Sequence, residues 1–136
     1  MKKLLFISFS LVLILSLSSC GSGKSTKKRS LDDTLYQYAA SIRWANFDAA
    51  SRFLDPENKA IQPTRFELEK LKQFKVSRYS ESPIAPGASE DVILQDVEIQ
   101  LYNIHSNRTK TIYDHQSWQY NEELKRWLLT SGLPKL

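Results

Sequence analysis

Cysteine is almost absent from this chain of 136 residues: Cys20 is the only one. A single thiol excludes any intramolecular disulfide, so the fold has to be held by its core. Glycine is scarce too, with 4 in the chain, and none of them belongs to the Gly-rich loop that cradles phosphates. No Gly-x-Ser-x-Gly elbow of a serine hydrolase occurs. Histidine is limited to His105 and His115. The two stand apart in the chain without clustered carboxylates, a pattern that supplies no metal ligand set and implies no cofactor. No internal repeat is present, and low complexity is confined to positions 21–30.

What the chain does have begins at its N-terminus. Lys2 and Lys3 form a short basic patch, and Leu4 to Leu17 is an apolar run diluted only by Ser8, Ser10 and Ser16. A run of roughly 15 apolar residues or fewer suits a signal peptide, whereas a spanning helix needs about 20. Ser18 and Ser19 are small enough for an extended backbone to enter a peptidase. In this order Leu17-Ser18-Ser19-Cys20 resembles the lipobox of bacterial lipoproteins. The resemblance implies a signal over 1–19, removed by cleavage, and a diacylglyceryl group on the Cys20 sulfur. It also implies a bacterial cell-envelope address, with the membrane as a partner through that lipid. Gly21 stands where an Asp commonly retains such proteins at the inner membrane. The periplasmic face of the outer membrane is therefore favoured in a cell that has one. Two or more acyl chains give a stable anchor where a single chain binds only marginally.

Positions 20–30 are expected to be the lipidated Cys and a flexible basic tether. Residues 21–30 contain Gly, Ser, Thr, Lys and Arg and nothing apolar. Fully extended they would reach roughly 36 Å. The remaining 31–136 is enough for one domain with one core.

The formal charge of +4 and a pI near 9.2 mislead for that domain. Six of the 19 basic residues, Lys2, Lys3, Lys24, Lys27, Lys28 and Arg29, precede it, leaving 13 against 15 acidic ones. A nucleic-acid partner loses its support, because phosphate binding needs a cationic patch on the domain itself. The basic tether instead suits an anionic membrane surface or serves as a solvated spacer.

Leu31, Leu35, Tyr38, Ile42 and Ala45 recur at helical spacing and predict an amphipathic helix opened by Ser30, with Asp32 and Asp33 at its positive end. Asn46 caps a second short helix with Ala49, Ala50, Phe53 and Leu54 on its inner face, and Asp55-Pro56 ends it. Thr64, with Glu67 three residues on, marks one more helical turn. From Phe74 the period changes to two. Strands are expected over Phe74 to about Ser82, Asp91–His105, Arg108–Asn121 and Lys125–Ser131. Short turns between the last three make them antiparallel neighbours. In the second strand Ile93, Val97, Ile99 and Leu101 share a face, and Val92 and Leu94 break that register. A bulge near Gln95 is the expected remedy.

Helices first and a meander afterwards make an α+β fold, with N-terminal helices packed on a bent antiparallel sheet of about four strands. Arg43-Trp44-Ala45-Asn46-Phe47-Asp48-Ala49-Ala50, Trp118-Gln119-Tyr120 and Arg126-Trp127-Leu128-Leu129 carry a resemblance to the cone-shaped, cystatin-like fold of nuclear transport factor two and ketosteroid isomerase. The ending also resembles small proteobacterial lipoproteins. Enzymes of that class use Tyr and carboxylic acids in an apolar cone, or His and Asp in related dehydratases. No such pattern matches here residue by residue.

Tyr38, Tyr113, His115 and Trp118 are the expected pocket-lining residues if the cone is open. Tyr113 and His115 share a strand face, and an imidazole with its pKa near 6.5 suits acid–base work. His105 belongs to an exposed turn. Trp44, Phe47 and Phe53 are expected to pack helix on sheet, and Trp118, Tyr120 and Trp127 to pair across the final hairpin. Three functions compete. The favoured one is a non-enzymatic envelope lipoprotein that binds a protein partner or supports an assembly. The others are a small-ligand binder using the cone and, third, an isomerase- or dehydratase-like enzyme with His115 as acid or base. No residue pattern fixes an oligomeric state.

Overall fold

The change of hydrophobic period at Phe74 is where helix gives way to sheet. A computed structural model describes residues 22–136, so the expected signal and Cys20 lie outside the described residues. Helix α1 spans Ser22–Arg43, and α2 spans Phe47–Ala50. Two 3₁₀ turns follow, Ser51–Phe53 and Lys59–Ile61, and α3 spans Arg65–Leu71. The strands are β1 Phe74–Glu81, β2 Ala85–Pro86, β3 Val92–Asn103, β4 Thr109–Asn121 and β5 Arg126–Leu129. The sheet is antiparallel in the order β1-β3-β4-β5, with the short β2 extending the β1 edge along β3. The architecture is α+β, with helices packed on a curled antiparallel sheet.

Helix α1 is already formed at Ser22, the first described residue, well before the expected start near Ser30. The segment read as a tether is therefore its first two turns. Ser30 is not a cap but an interior residue, whose carbonyl accepts a bond from the Thr34 hydroxyl at 2.7 Å. The reason is tertiary. Lys27 pairs with Asp91 and Glu122, and its ammonium sits 4.1 Å from the centre of the Tyr120 ring. The Trp127 indole N–H donates to the Lys27 carbonyl at 3.2 Å. These contacts come from residues far along the chain, which is why composition alone pointed to a spacer.

Leu31, Tyr38 and Ile42 form the buried stripe of α1, with Leu35 and Ala45 packed against it. The helix ends in a Schellman closure. Asn46 N–H donates to the Ser41 carbonyl and Ala45 N–H to that of Ile42, both at 2.8 Å. Ala45 is thereby held at φ 53°, a left-handed position that glycine fills more readily. Asn46 then caps α2 by accepting from the Ala49 N–H. Thr64 and Glu67 complete the expected capping box of α3. Phe47 packs in the core, but Trp44 does not: it is 83% exposed. Trp44 lies two residues beyond Ile42, about 200° around the helix and hence on the outer face.

Strands β3 and β4 pair without interruption from Val92↔Gln119 to Tyr102↔Thr109. The expected bulge near Gln95 is absent from this pairing. Gln95 lies on the inner face with Val97, and its amide nitrogen donates to the Ser82 carbonyl at 2.9 Å. Leu94 is left on the outer, exposed side. The register shift falls instead in β1, between Val76 and Arg78. After α2 the chain bridges β5 at Leu54↔Leu129, and Asp55 N–H donates to the Leu129 carbonyl. That contact covers part of the β5 edge.

Candidate functional site

Alternation along β4 decides which of the expected site residues can meet. Ile112, Asp114, Gln116 and Trp118 point inward and are buried, whereas Tyr113 and His115 point outward. Strand residues of opposite parity face opposite sides, so Trp118 and Tyr113 could never share one cavity. The expectation that Tyr113 and His115 project into a cone is corrected: both lie on the outer face of the sheet. Tyr38 and Trp118 do meet on the inner face, both fully buried. The four residues do not form a common pocket.

Tyr38, Trp118 and Phe53 fill the concave side. Their rings pack edge to face, with centroids 5.1 Å apart for Tyr38–Trp118, 5.7 Å for Tyr38–Phe53 and 6.4 Å for Phe53–Trp118. Tyr120 and Trp127 pack edge to face across the final hairpin with centroids 5.4 Å apart, as expected, whereas Trp118 stands opposite Leu129.

Beside this aromatic plug lies a buried polar row that alternation did not reveal as a unit. The Gln116 amide nitrogen donates to Asp114 at 2.8 Å and to the Tyr79 hydroxyl at 3.1 Å. The Gln116 carbonyl oxygen accepts from the Trp118 indole N–H at 3.1 Å. Burial pushes the Asp114 carboxyl above its ordinary range, and the Gln116 bond opposes that rise. Burial likewise pushes the Tyr79 and Tyr38 hydroxyls up, and the neighbouring Asp114 adds to both shifts. The Tyr38 hydroxyl is buried without a hydrogen-bond partner among the described residues. A polar row of this kind, packed under a sheet, fixes side-chain positions in the core.

On the outer face His115 Nδ1 lies 2.6 Å from Asp96 Oδ1, its cross-strand partner. The carboxylate hydrogen bond raises the imidazole pKa. Both side chains are more than two-thirds exposed. His105 sits in the turn after β3, where its N–H donates to the Asn103 side chain.

A hollow lies elsewhere. A groove of about 750 Å³ runs between the first turns of α1, the loop preceding β3 and the β4–β5 turn. Leu31, Ile84, Ile93, Tyr120 and Trp127 supply its apolar floor, and Lys24, Lys27, Lys28 and Lys125 stand among its charged lining with Glu90, Asp91 and Glu122. Its volume lies within the ~300–1,000 Å³ common for ligand pockets. Two smaller hollows, of about 330 and 440 Å³, lie against the C-terminal segment and beside Arg126. None of the three is lined by Tyr38, Tyr113, His115 or Trp118. The sequence hid the groove because the tether reading separated its lysines from the domain. Their recurrence at 24, 27, 28 and, with Leu31, one helical stripe was the available signal.

Among the described residues no group of three His, Cys, Asp or Glu side chains could hold a metal ion. No described helix is long and apolar enough to cross a membrane. No protein-family model, no curated protein and no solved structure matches this chain.

Proposed function

We propose that this protein is a lipid-anchored component of the bacterial cell envelope that works by binding rather than turnover. Cys20 carries the lipid, and the periplasmic face of the outer membrane is its station in a cell that has one. The lipobox order of Leu17-Ser18-Ser19-Cys20 after an apolar run supports the anchor. The early start of α1 bears on geometry. One residue, Gly21, separates Cys20 from Ser22, a reach of no more than about 7 Å, so the domain rests on the membrane rather than on a long leash.

The observation that carries the binding reading is the aromatic plug. Tyr38, Phe53 and Trp118 occupy the concave side where a cone-type enzyme would need space. His115, the candidate acid or base, stands in solvent on the opposite face with Asp96. A small-ligand reading keeps one specific support, the groove beside α1.

The test is incorporation of labelled palmitate by the full chain in bacterial cells, against Cys20→Ser. Label and membrane retention in the parent, both lost in the variant, support the anchor. Equal behaviour of the two overturns it. Binding to an envelope protein would then be sought by cross-linking from exposed Tyr113 and Tyr102, with His115→Ala expected to leave it unchanged.

A further inference from the structure

The groove beside α1 has an apolar floor, cations along one helical stripe, and a lining that starts three positions along the chain from the proposed anchor, at Gly23. We infer that it binds one anionic phospholipid of the membrane on which the domain rests, with the phosphate at Lys24 and Lys28 and an acyl chain along Leu31, Ile84, Ile93 and Trp127. The inference rests on the anchoring proposed above for its access to lipid.

Charge selects this occupant. Lys24, Lys27 and Lys28 lie in the first two turns of α1, and its first turn holds no acidic residue. Like charges one turn apart on a helix repel. Lys27 is compensated by Asp91 and Glu122, and Lys125 by Glu122. Lys24 and Lys28 have no ion-pair partner among the described residues. Glu90, in the lining before β3, has no ion-pair partner among the described residues either, so the open cations are those of the α1 side, and an anion between Lys24 and Lys28 answers them. The diacylglyceryl group on Cys20 is neutral and cannot do so. A soluble anion would leave the apolar floor uncovered. A phospholipid satisfies both.

The floor is built to be persistent. Lys27 spans the groove to the β3 side and to the β4–β5 turn, and the Trp127 indole holds the helix backbone at its Lys27 carbonyl.

The test uses the full chain carrying Trp44→Phe, reconstituted in vesicles whose lipids bear bromine at mid-chain. Bromine quenches an indole only at close range, and a tryptophan resting at the bilayer surface lies out of its reach. In phosphatidylglycerol vesicles Trp127 is expected to lose most of its emission, identified by difference from a Trp127→Phe companion. Phosphatidylcholine vesicles are expected to leave that emission intact. Lys24→Gln with Lys28→Gln should abolish the difference between the lipids, and Ile84→Glu, at an exposed position, should abolish quenching. Trp127 emission unchanged in brominated phosphatidylglycerol overturns the inference. So does quenching indifferent to headgroup and to the lysines. Quenching that appears only in Cys20→Ser also overturns it, because the protein's own acyl chain would then fill the groove. Palmitate labelling of Cys20 is scored separately, so loss of the anchor and loss of the lipid site are told apart.

Discussion

The Trp127 indole donates its N–H to the main-chain carbonyl of Lys27 at 3.2 Å, closing a span of 100 residues. This bond joins the first helix to the last hairpin and makes the basic segment part of the domain. Trp127→Phe retains most of the ring and removes the donor. The expected cost is about 1 kcal/mol, with faster amide exchange over residues 22–30 and little change in β3. Equal exchange in both proteins would show that the helix start stands without this bond.

The buried hydroxyl of Tyr38 has no hydrogen-bond partner among the described residues. Removing it should help rather than harm. Tyr38→Phe is expected to stabilise the fold by about 1 kcal/mol or more, since an unsatisfied buried donor costs ~1–3 kcal/mol. Trp118→Ala should instead cost ~3–5 kcal/mol by opening a cavity in the aromatic plug. Denaturant unfolding measures both. A destabilised Tyr38→Phe would reveal a partner for that hydroxyl.

Asp114 is held above its ordinary pKa by burial. A raised carboxyl binds its proton more tightly in the folded state than in the unfolded one. Its stabilising proton is fully present below the ordinary value of about 3.9 and is lost as pH rises through the folded value. This group therefore makes stability fall with rising pH across that window. Asp114→Asn, which keeps an acceptor for Gln116, should be more stable at neutral pH and should flatten that slope. An unchanged slope in the variant would assign the dependence to another group.

His115 is raised by its bond to Asp96. Its protonated form is favoured in the fold, so the contribution is present below about 6.5 and lost as pH rises through the higher folded value. The pair is exposed, and its effect on stability is small. The direct measurement is the imidazole titration by NMR. Asp96→Asn should return His115 toward its ordinary value, and an unmoved titration would assign the shift to another group.

Elements whose signals are local were readable in the sequence. Leu31, Leu35, Tyr38 and Ile42 gave one helical stripe, Thr64 and Glu67 a capping box, and Asn46 a cap. The β3 and β4 strands and the Tyr120–Trp127 pair followed from period two and short turns. What escaped depended on partners distant in sequence. The helical segment around Lys27 is held by Asp91, Glu122 and Trp127, which no window around Lys27 contains. The inward parity of β4 is set by Trp118 packing on Tyr38 and Phe53, so Asp114 and Gln116 became core residues and Tyr113 and His115 surface ones. Val92 and Leu94 suggested a bulge because exposed apolar residues were read as misplaced, although isolated ones are ordinary on a sheet face. The groove joins three elements, and only the Lys24, Lys27, Lys28 and Leu31 stripe of α1 carried a signal of it.

The most direct test of the central claim is the intact mass of the protein extracted from bacterial membranes. The expected species begins at Cys20 and carries a diacylglyceryl group, with or without a further acyl chain on its new amine. It should vanish in Cys20→Ser. A protein recovered with an unmodified Cys20, whether or not residues 1–19 remain, would contradict lipid anchoring.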